Sequence, residues 1–402
     1  MDDMDFEKIK DTVAALAPEL KKLSLDIHSN PELGRQEFLA CRWQTELLEK
    51  YGFHTEVGFC GIETAYKAVY SGSKPGPKIA MLAEYDALPE IGHACGHNLI
   101  AMISVGSGIA IREFVDKYGG EIHVIGTPAE ETQGAKVEMS KKGAFREYDA
   151  AMMAHPFEVN GSSINTMAVY ARRFEFFGKT AHAASTPHEG INALDGMISF
   201  FNMVNALRQQ TKPDARLHGV ILNGGVAPNI IPDYTEALFY VRANTAAYVE
   251  ELLEKVTACA EGAAKGTGCT YKISRAEEDF KDTDSNMALS NLACDQYEKL
   301  GHQIQRMGNS VMPGSSDLGD VSYQCPAIQL MCGMGPMEDG SHYGAHTVEF
   351  ERRACSQEAL DNGLEFVKAF TMTAVELLTD PSHLEAIKKE FETEKVDSLL
   401  PF

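Results

Sequence analysis

Short apolar segments alternate with helix-like segments over the first part of the chain, and this alternation strongly constrains the fold. The predicted strands cover residues 55–59, 64–70, 78–83, 121–126 and 150–155, and the predicted helices cover 6–27, 37–51, 99–115 and 135–142. Strands that alternate with helices are typical of an α/β sheet. The sequence therefore predicts an α/β domain.

The middle of the chain follows a different order. Predicted strands at 166–178, 218–223, 236–243 and 270–275 are combined with predicted helices at 191–208 and 247–264. This βαββαβ order is typical of a ferredoxin-like domain. The chain then returns to a helix at 285–300, a strand at 327–331 and helices at 350–378 and 381–394. We predict one domain from residues 1–168 and 281–402, with residues 169–280 inserted as a second domain.

Length and charge limit the classes of function. A chain of 402 residues is long enough for two domains, and its 44% apolar content allows a substantial core. The formal net charge of -22 argues against nucleic acid as a partner, because phosphate binding needs clustered lysine and arginine. We therefore expect a partner that is not nucleic acid.

The start of the sequence and its cysteine usage both favour the cytoplasm. We expect no apolar run that approaches a membrane span, and the start Met1-Asp2-Asp3 lacks the pattern of a signal peptide. The nine cysteines contain no CxxC pair, so we expect reduced thiols without a disulfide framework. Both observations predict a cytoplasmic protein without a membrane partner.

Chemically useful side chains follow three of the predicted strands. Asp86 follows the strand at 78–83, Glu130 and Glu131 follow 121–126, and His155 ends 150–155. In α/β sheets, ligands bind beyond the carboxyl ends of the strands. We therefore expect these side chains to share one site. Each has a simpler alternative, since paired glutamates suit a helix N-terminus and His155 suits a core histidine.

Two further segments contribute possible metal ligands. Cys95 and His97 lie in a loop with flanking glycines, and thiolate and imidazole are strong ligands for zinc-like ions. The alternative is a loop thiol beside a surface histidine. His346 precedes a predicted helix, where the alternative is a capping loop with Thr347 as N-cap. With Glu131 and His155, these residues supply five ligands, and Glu130 remains available as a general base.

The sequence resembles the M20 family of metallopeptidases, in the branch of amidohydrolases related to aminobenzoyl-glutamate hydrolase and to the aminoacylase-1-like-2 dipeptidases. The resemblance covers nearly the whole chain and rests on eight motifs in order: HSNPEL (28–33), AEYDALP (83–89), GHACGH (92–97), PAEE (128–131), GKTAHA (178–183), APNIIPD (227–233), GSSD (314–317) and HTVEF (346–350). It implies a zinc-peptidase-like catalytic α/β domain with an inserted ferredoxin-like lid and dimerisation domain.

The resemblance also assigns residues to a two-metal centre. Cys95 would bridge two divalent ions, and their remaining ligands would be His97, Glu131, His155 and His346. Glu130 would be the general base, and Asp86 would orient a ligand from behind the centre. Many members of the family carry a metal-binding histidine where this sequence has Glu84, so the role of Glu84 stays open.

By the same resemblance, three residues of the inserted domain would meet the substrate. His182 would reach across a homodimer and stabilise the oxyanion, while Asn229 and Arg242 would hold a substrate carboxylate. The alternatives are that His182 closes a turn and that Arg242 is an ordinary surface residue of a strand.

Together with these residues, the resemblance implies metal-dependent hydrolysis of an amide bond in a small carboxylate-bearing substrate, such as a dipeptide, an N-acyl amino acid or aminobenzoyl-glutamate. The mixed ligands suit Zn²⁺, Mn²⁺ or Co²⁺. Two alternatives belong to other classes, namely a non-catalytic binding protein on the same fold and a metal-free thiol enzyme that uses Cys95 as nucleophile.

Overall fold

The structure, a computed structural model, describes residues 3–337, 340 and 342–393. Its helices are α1 (Asp3–Ser29), α2 (Phe38–Lys50), α3 (His97–Tyr118), α4 (Ala135–Lys141), α5 (Ala193–Leu207), α6 (Ala246–Thr267), α7 (Met287–Lys299), α8 (Leu318–Ser322), α9 (Val348–Ala354), α10 (Gln357–Thr379) and α11 (Pro381–Glu392). Its strands are β1 (His54–Val57), β2 (Tyr66–Ser71), β3 (Lys78–Ala83), β4 (Glu121–Gly126), β5 (Ala150–Phe157), β6 (Asn165–Thr166), β7 (Ala168–Phe177), β8 (Arg216–Asn223), β9 (Tyr234–Ala243), β10 (Thr270–Arg275), β11 (Val311–Met312) and β12 (Ala327–Gly333).

The chain divides into two compact units. The first unit comprises Met1–Asn165, Asp284–Ser310 and Asp320–Phe402, and the second comprises Thr166–Thr283 and Val311–Gly319. The inserted domain predicted at 169–280 lies within the second unit. Segment 311–319, which the sequence prediction places in the catalytic domain, belongs to this second unit instead.

A six-stranded sheet forms the centre of the first unit, in the order β1-β2-β4-β3-β5-β12. Strands β4, β3, β5 and β12 run parallel, whereas β1 and β2 pair antiparallel at one side. Because parallel strands end at the same edge, the residues that follow β3, β4 and β5 meet there. The sheet confirms the predicted α/β domain.

Helix α3 is the central helix of this unit and packs against β3, β5, α1 and α10. It is long and apolar enough to span a membrane by length and composition, and 89% of its apolar window is buried inside the protein. The expectation that no apolar run approaches this length is therefore wrong for α3. Its apolar residues are instead used to fill the core.

The second unit contains a four-stranded antiparallel sheet in the order β10-β7-β9-β8. Helices α5 and α6 pack on the sheet over a core that includes Phe174, Phe200 and Phe239. Along β9, half-buried and buried residues alternate, as expected for a strand with one face in the core. The order β7-α5-β8-β9-α6-β10 confirms the predicted ferredoxin-like plan.

One predicted helix differs clearly from the structure. The helix predicted at 350–378 is divided into α9 and α10, because the chain leaves the helical conformation at Ser356. The Ser356 side chain then accepts a hydrogen bond from the Ala359 N–H at 3.2 Å and caps α10. The last helix ends at Glu392, and its predicted end at residue 394 lies outside the described residues.

Candidate metal centre

The loop between β3 and α3 brings Cys95 and His97 to the edge of the sheet. Gly96 has a φ of 75°, in the left-handed region that favours glycine. A Cβ at this position would lie 2.7 Å from Cγ of Pro156, which follows His155 on β5. Gly96 therefore allows the loop to approach the end of β5 closely. The next residue, His97, is the first residue of the buried helix α3.

The five predicted ligands and Glu130 come together in the first unit. Their donor atoms form three groups, each within 4.8 Å: Cys95 with His97 and His155, Cys95 with Glu131 and His346, and His97 with Glu130 and Glu131. Cys95, His97 and Glu131 each belong to two of the groups, so the donor atoms form one connected cluster.

Unsatisfied atoms within the cluster provide a test of whether cations fit. Nε2 of His97 and Oε2 of Glu84 are buried without a hydrogen-bond partner among the described residues. Buried polar atoms normally have partners because leaving them unpaired costs free energy. Imidazole, carboxylate and thiolate donors are suitable ligands for Zn²⁺, Mn²⁺ and Co²⁺, so the residues fit divalent ions.

Asp86 makes hydrogen bonds with two of the predicted ligands, His97 and Glu131. Its Oδ1 lies 3.0 Å from Nδ1 of His97, and its Oδ2 accepts a hydrogen bond from the Glu131 N–H at 3.0 Å. Burial alone would raise the pKa of Asp86, but His97 and the Glu131 N–H outweigh burial and lower it. The ionised carboxylate holds His97 with Nε2 directed away from Asp86, toward the other donors.

His155 and His346 approach the cluster from different elements. The His155 ring donates from Nδ1 to the Pro156 carbonyl at 2.9 Å, and its Nε2 lies 3.4 Å from Sγ of Cys95. His346 Nε2 lies 3.1 Å from Oε1 of Glu131. The alternative interpretation for His346 is compatible with this position, because Thr347 does cap α9.

Glu84 is held by a lysine that sequence reasoning missed. Lys136, on α4, donates from Nζ to Oε1 of Glu84 at 2.6 Å, and both side chains are fully buried. The other Glu84 oxygen lies 3.4 Å from Nε2 of His97. Glu84 is in none of the three donor groups formed by the described residues. Nothing in the sequence around Lys136 indicated this pairing.

His182, Asn229 and Arg242 belong to the second unit. His182 is exposed, and its Nδ1 accepts from the N–H groups of Ala184 and Ser185 at 3.2 and 3.3 Å, so it does close a turn. Asn229 is also exposed.

Arg242 is half-buried on β9 and donates to Oγ of Ser315 at 3.2 Å. Burial lowers the pKa of Arg242 below its usual value. Its Nε is buried without a hydrogen-bond partner among the described residues, which leaves a donor available for an anion.

Comparison with known proteins identifies the family. Residues 170–267 match the peptidase dimerisation domain of M20 enzymes. The Xaa-Arg dipeptidase of Mus musculus is 36% identical over 391 residues, which cover 93% of this chain and 89% of that protein. The chain belongs to the M20 peptidase family. Its M20 relatives also include one of the subunits of p-aminobenzoyl-glutamate hydrolase from Escherichia coli, at 27% identity over 96% of this chain and 94% of that protein.

Solved structures share the M20 fold over most of the chain. A dinuclear metal binding peptidase from Bacillus subtilis matches with a TM-score of 0.68 at 20% identity, covering 90% of this chain and 99% of that one. An aminohydrolase structure from methicillin resistant Staphylococcus aureus matches with a TM-score of 0.75 at 18% identity, with the same coverage of 90% and 99%. As a member of the M20 family, the chain is a metal-dependent hydrolase of amide bonds in small substrates.

Proposed function

We propose that this M20 enzyme hydrolyses dipeptides and related small amides that carry a free carboxylate, with Glu130 as general base. The observation that carries the proposal is the convergence of the five donor side chains and Glu130 in one cluster. Glu130 would take the proton from the attacking water and transfer it to the leaving amine. This cycle returns Glu130 to its ionised form.

The metal ligands in this proposal are Cys95, His97, Glu131, His155 and His346. When bound, two divalent ions, Zn²⁺, Mn²⁺ or Co²⁺, supply Lewis acidity at the substrate carbonyl and lower the pKa of water. Asp86 keeps His97 and Glu131 in position through its hydrogen bonds to both residues. The buried Nε2 of His97, which has no hydrogen-bond partner among the described residues, supports this assignment.

The second unit would supply substrate contacts and the dimer interface. Arg242 and Asn229 would bind the substrate carboxylate, and His182 of one protomer would donate to the carbonyl oxygen in the active site of its partner. Strand β8 is an edge strand with exposed apolar residues, including Val220 at 55% and Leu222 at 53% exposure. Such an edge is suited to pairing with a second copy, which supports a homodimer.

Dipeptides are the favoured substrates because the dipeptidase relative is more similar than the aminobenzoyl-glutamate hydrolase relative. The test uses a panel of candidate substrates, in which N-acyl amino acids and aminobenzoyl-glutamate accompany the dipeptides. We place the enzyme in the cytoplasm, where its nine free cysteines stay reduced.

The alternative functions have less support. In a metal-free enzyme, burial raises the pKa of the Cys95 thiol well above its usual value, so the thiol would be protonated and a weak nucleophile. A non-catalytic binding protein would not need a complete donor set together with Glu130.

The experiment compares wild type, Glu130→Gln and the control Glu56→Gln, which changes an exposed carboxylate on β1. We expect about two bound ions per chain in all three proteins by elemental analysis. We expect Glu130→Gln to lower kcat about a hundredfold or more on the best dipeptide, because general base catalysis is lost. Near-normal turnover of Glu130→Gln with both ions bound would refute the assignment, and a preference for another class in the panel would refute the proposed substrate.

A further inference from the structure

The segment that carries Glu130 and Glu131 begins with an unusual backbone conformation. Ala129 has a φ of 59°, in the left-handed region that a residue with a Cβ rarely adopts. Its carbonyl accepts from the N–H groups of Gln133 and Gly134 at 3.1 and 2.8 Å, which closes a tight turn. The backbone of Ala129 therefore sets the direction in which the next two side chains leave the turn.

Glu37 holds this backbone from a distant part of the chain. Its carboxylate is fully buried directly before α2. Oε1 accepts a hydrogen bond from the Ala129 N–H at 2.8 Å, and Oε2 accepts one from Oγ1 of Thr64 at 2.9 Å. A buried carboxyl oxygen that accepts a hydrogen bond from a backbone N–H forms a directional contact whose loss costs free energy.

Two further contacts restrict the same turn. A Cβ at Gly34 would lie 3.0 Å from Cβ of Ala129 and 2.2 Å from Oγ1 of Thr132, so the chain before α2 lies directly against the turn. On the other side, the Glu131 N–H binds Asp86. Glu37 and Asp86 thus fix the backbone on both sides of Glu130.

We propose that Glu37 is a positioning residue, which holds Ala129 in the left-handed conformation and so directs Glu130 and Glu131 into the cluster. The inference rests on the proposed roles of Glu130 as base and Glu131 as ligand. Glu37 acts through the backbone of the turn. Strained backbone at a functional site needs surrounding contacts that hold it, and Glu37 provides one.

The test compares Glu37→Leu with Glu37→Gln. Leucine removes the acceptor, and we expect kcat to fall about tenfold to a hundredfold with KM changed less than about threefold. We also expect the affinity of the metal-free protein for Zn²⁺ to fall about tenfold, measured by competition with a chelating dye. Glutamine keeps an oxygen acceptor for the Ala129 N–H, so Glu37→Gln should retain kcat and Zn²⁺ affinity within about threefold of wild type.

Thr64→Val is the matched control because it removes the other hydrogen bond of the same carboxylate and leaves the contact with Ala129. It should keep kcat and Zn²⁺ affinity near wild type. If Glu37→Leu does not fold, Glu37→Asp, whose shorter side chain cannot reach Ala129, replaces it with the same expected loss.

Normal kcat and Zn²⁺ affinity in the variants that lose the acceptor would overturn the inference. Losses in Glu37→Gln or Thr64→Val as large as in Glu37→Leu would overturn it as well. The Glu130→Gln result separates this failure from failure of the proposed function, since only the latter leaves Glu130→Gln active.

Discussion

At the scale of single residues, Glu37 is an acid whose burial has a measurable consequence. Burial raises the pKa of Glu37 from 4.5 to about 7, with a further contribution from the charge of Asp86. The folded state therefore keeps the Glu37 proton over a pH range in which the unfolded chain has lost it. By linkage, this difference lowers the free energy of unfolding as pH rises from about 4.5 to about 7, and has no further effect above that range.

We predict that Glu37→Gln removes this pH dependence in the metal-free protein. Relative to wild type, the variant should gain about 3 kcal/mol of stability between about pH 4 and about pH 8, as an upper value from the size of the shift. Urea unfolding of both chelated proteins across this range measures the difference. If the free energies of unfolding of the two proteins differ by the same amount at all pH values, Glu37 has an ordinary pKa in the folded state.

At the scale of elements, the buried pair Lys136 and Glu84 ties α4 to the end of β3. We predict that Lys136→Met lowers the free energy of unfolding by about 3–5 kcal/mol, because it leaves Glu84 buried without its ammonium partner. The double variant Glu84→Gln/Lys136→Met should recover most of this loss, since no lone charge remains. Urea unfolding of the metal-free proteins tests both statements.

Lys142→Met is the control for this comparison, because Lys142 pairs with Glu138 at the surface. A surface pair contributes about 1 kcal/mol or less, so this variant should unfold nearly as wild type does. If Lys136→Met and the double variant lose the same free energy of unfolding, the loss comes from packing at residue 136 and not from the unpaired charge of Glu84.

The same elements show how far the sequence predicts the structure. Strands β3, β4 and β10 match their predicted ranges, and for β3 and β4 the reason is that apolar runs bounded by turn residues define them. The break between α9 and α10 was missed, since helical periodicity continues across Ser356. The grouping of Glu131 and His155 follows from their positions at strand ends, and that of Cys95 and His97 from their glycine-flanked loop. Glu37 and Lys136 were not predictable, because their roles depend on contacts with distant residues.

At the scale of the whole molecule, residues 170–267 match a peptidase dimerisation domain. The proposed role of His182 therefore depends on the assembly of two chains. If β8 pairs with β8 of a second copy, Leu222→Lys should shift dimers to monomers, because it places charge on the pairing edge. Val57→Lys is the control, as Val57 is 57% exposed on β1 of the other sheet. Sedimentation velocity should show the shift for Leu222→Lys alone.

A mixture of two inactive variants tests whether His182 serves the partner's active site. Glu130→Gln and His182→Ala homodimers should each be nearly inactive. In a heterodimer of the two, one active site combines Glu130 of the His182→Ala chain with His182 of the Glu130→Gln chain. An equal mixture after subunit exchange should therefore reach about a quarter of wild-type turnover, because half of the dimers each regain one of two sites. Activity no greater than the mean of the two variants would mean that His182 acts within its own chain or not at all.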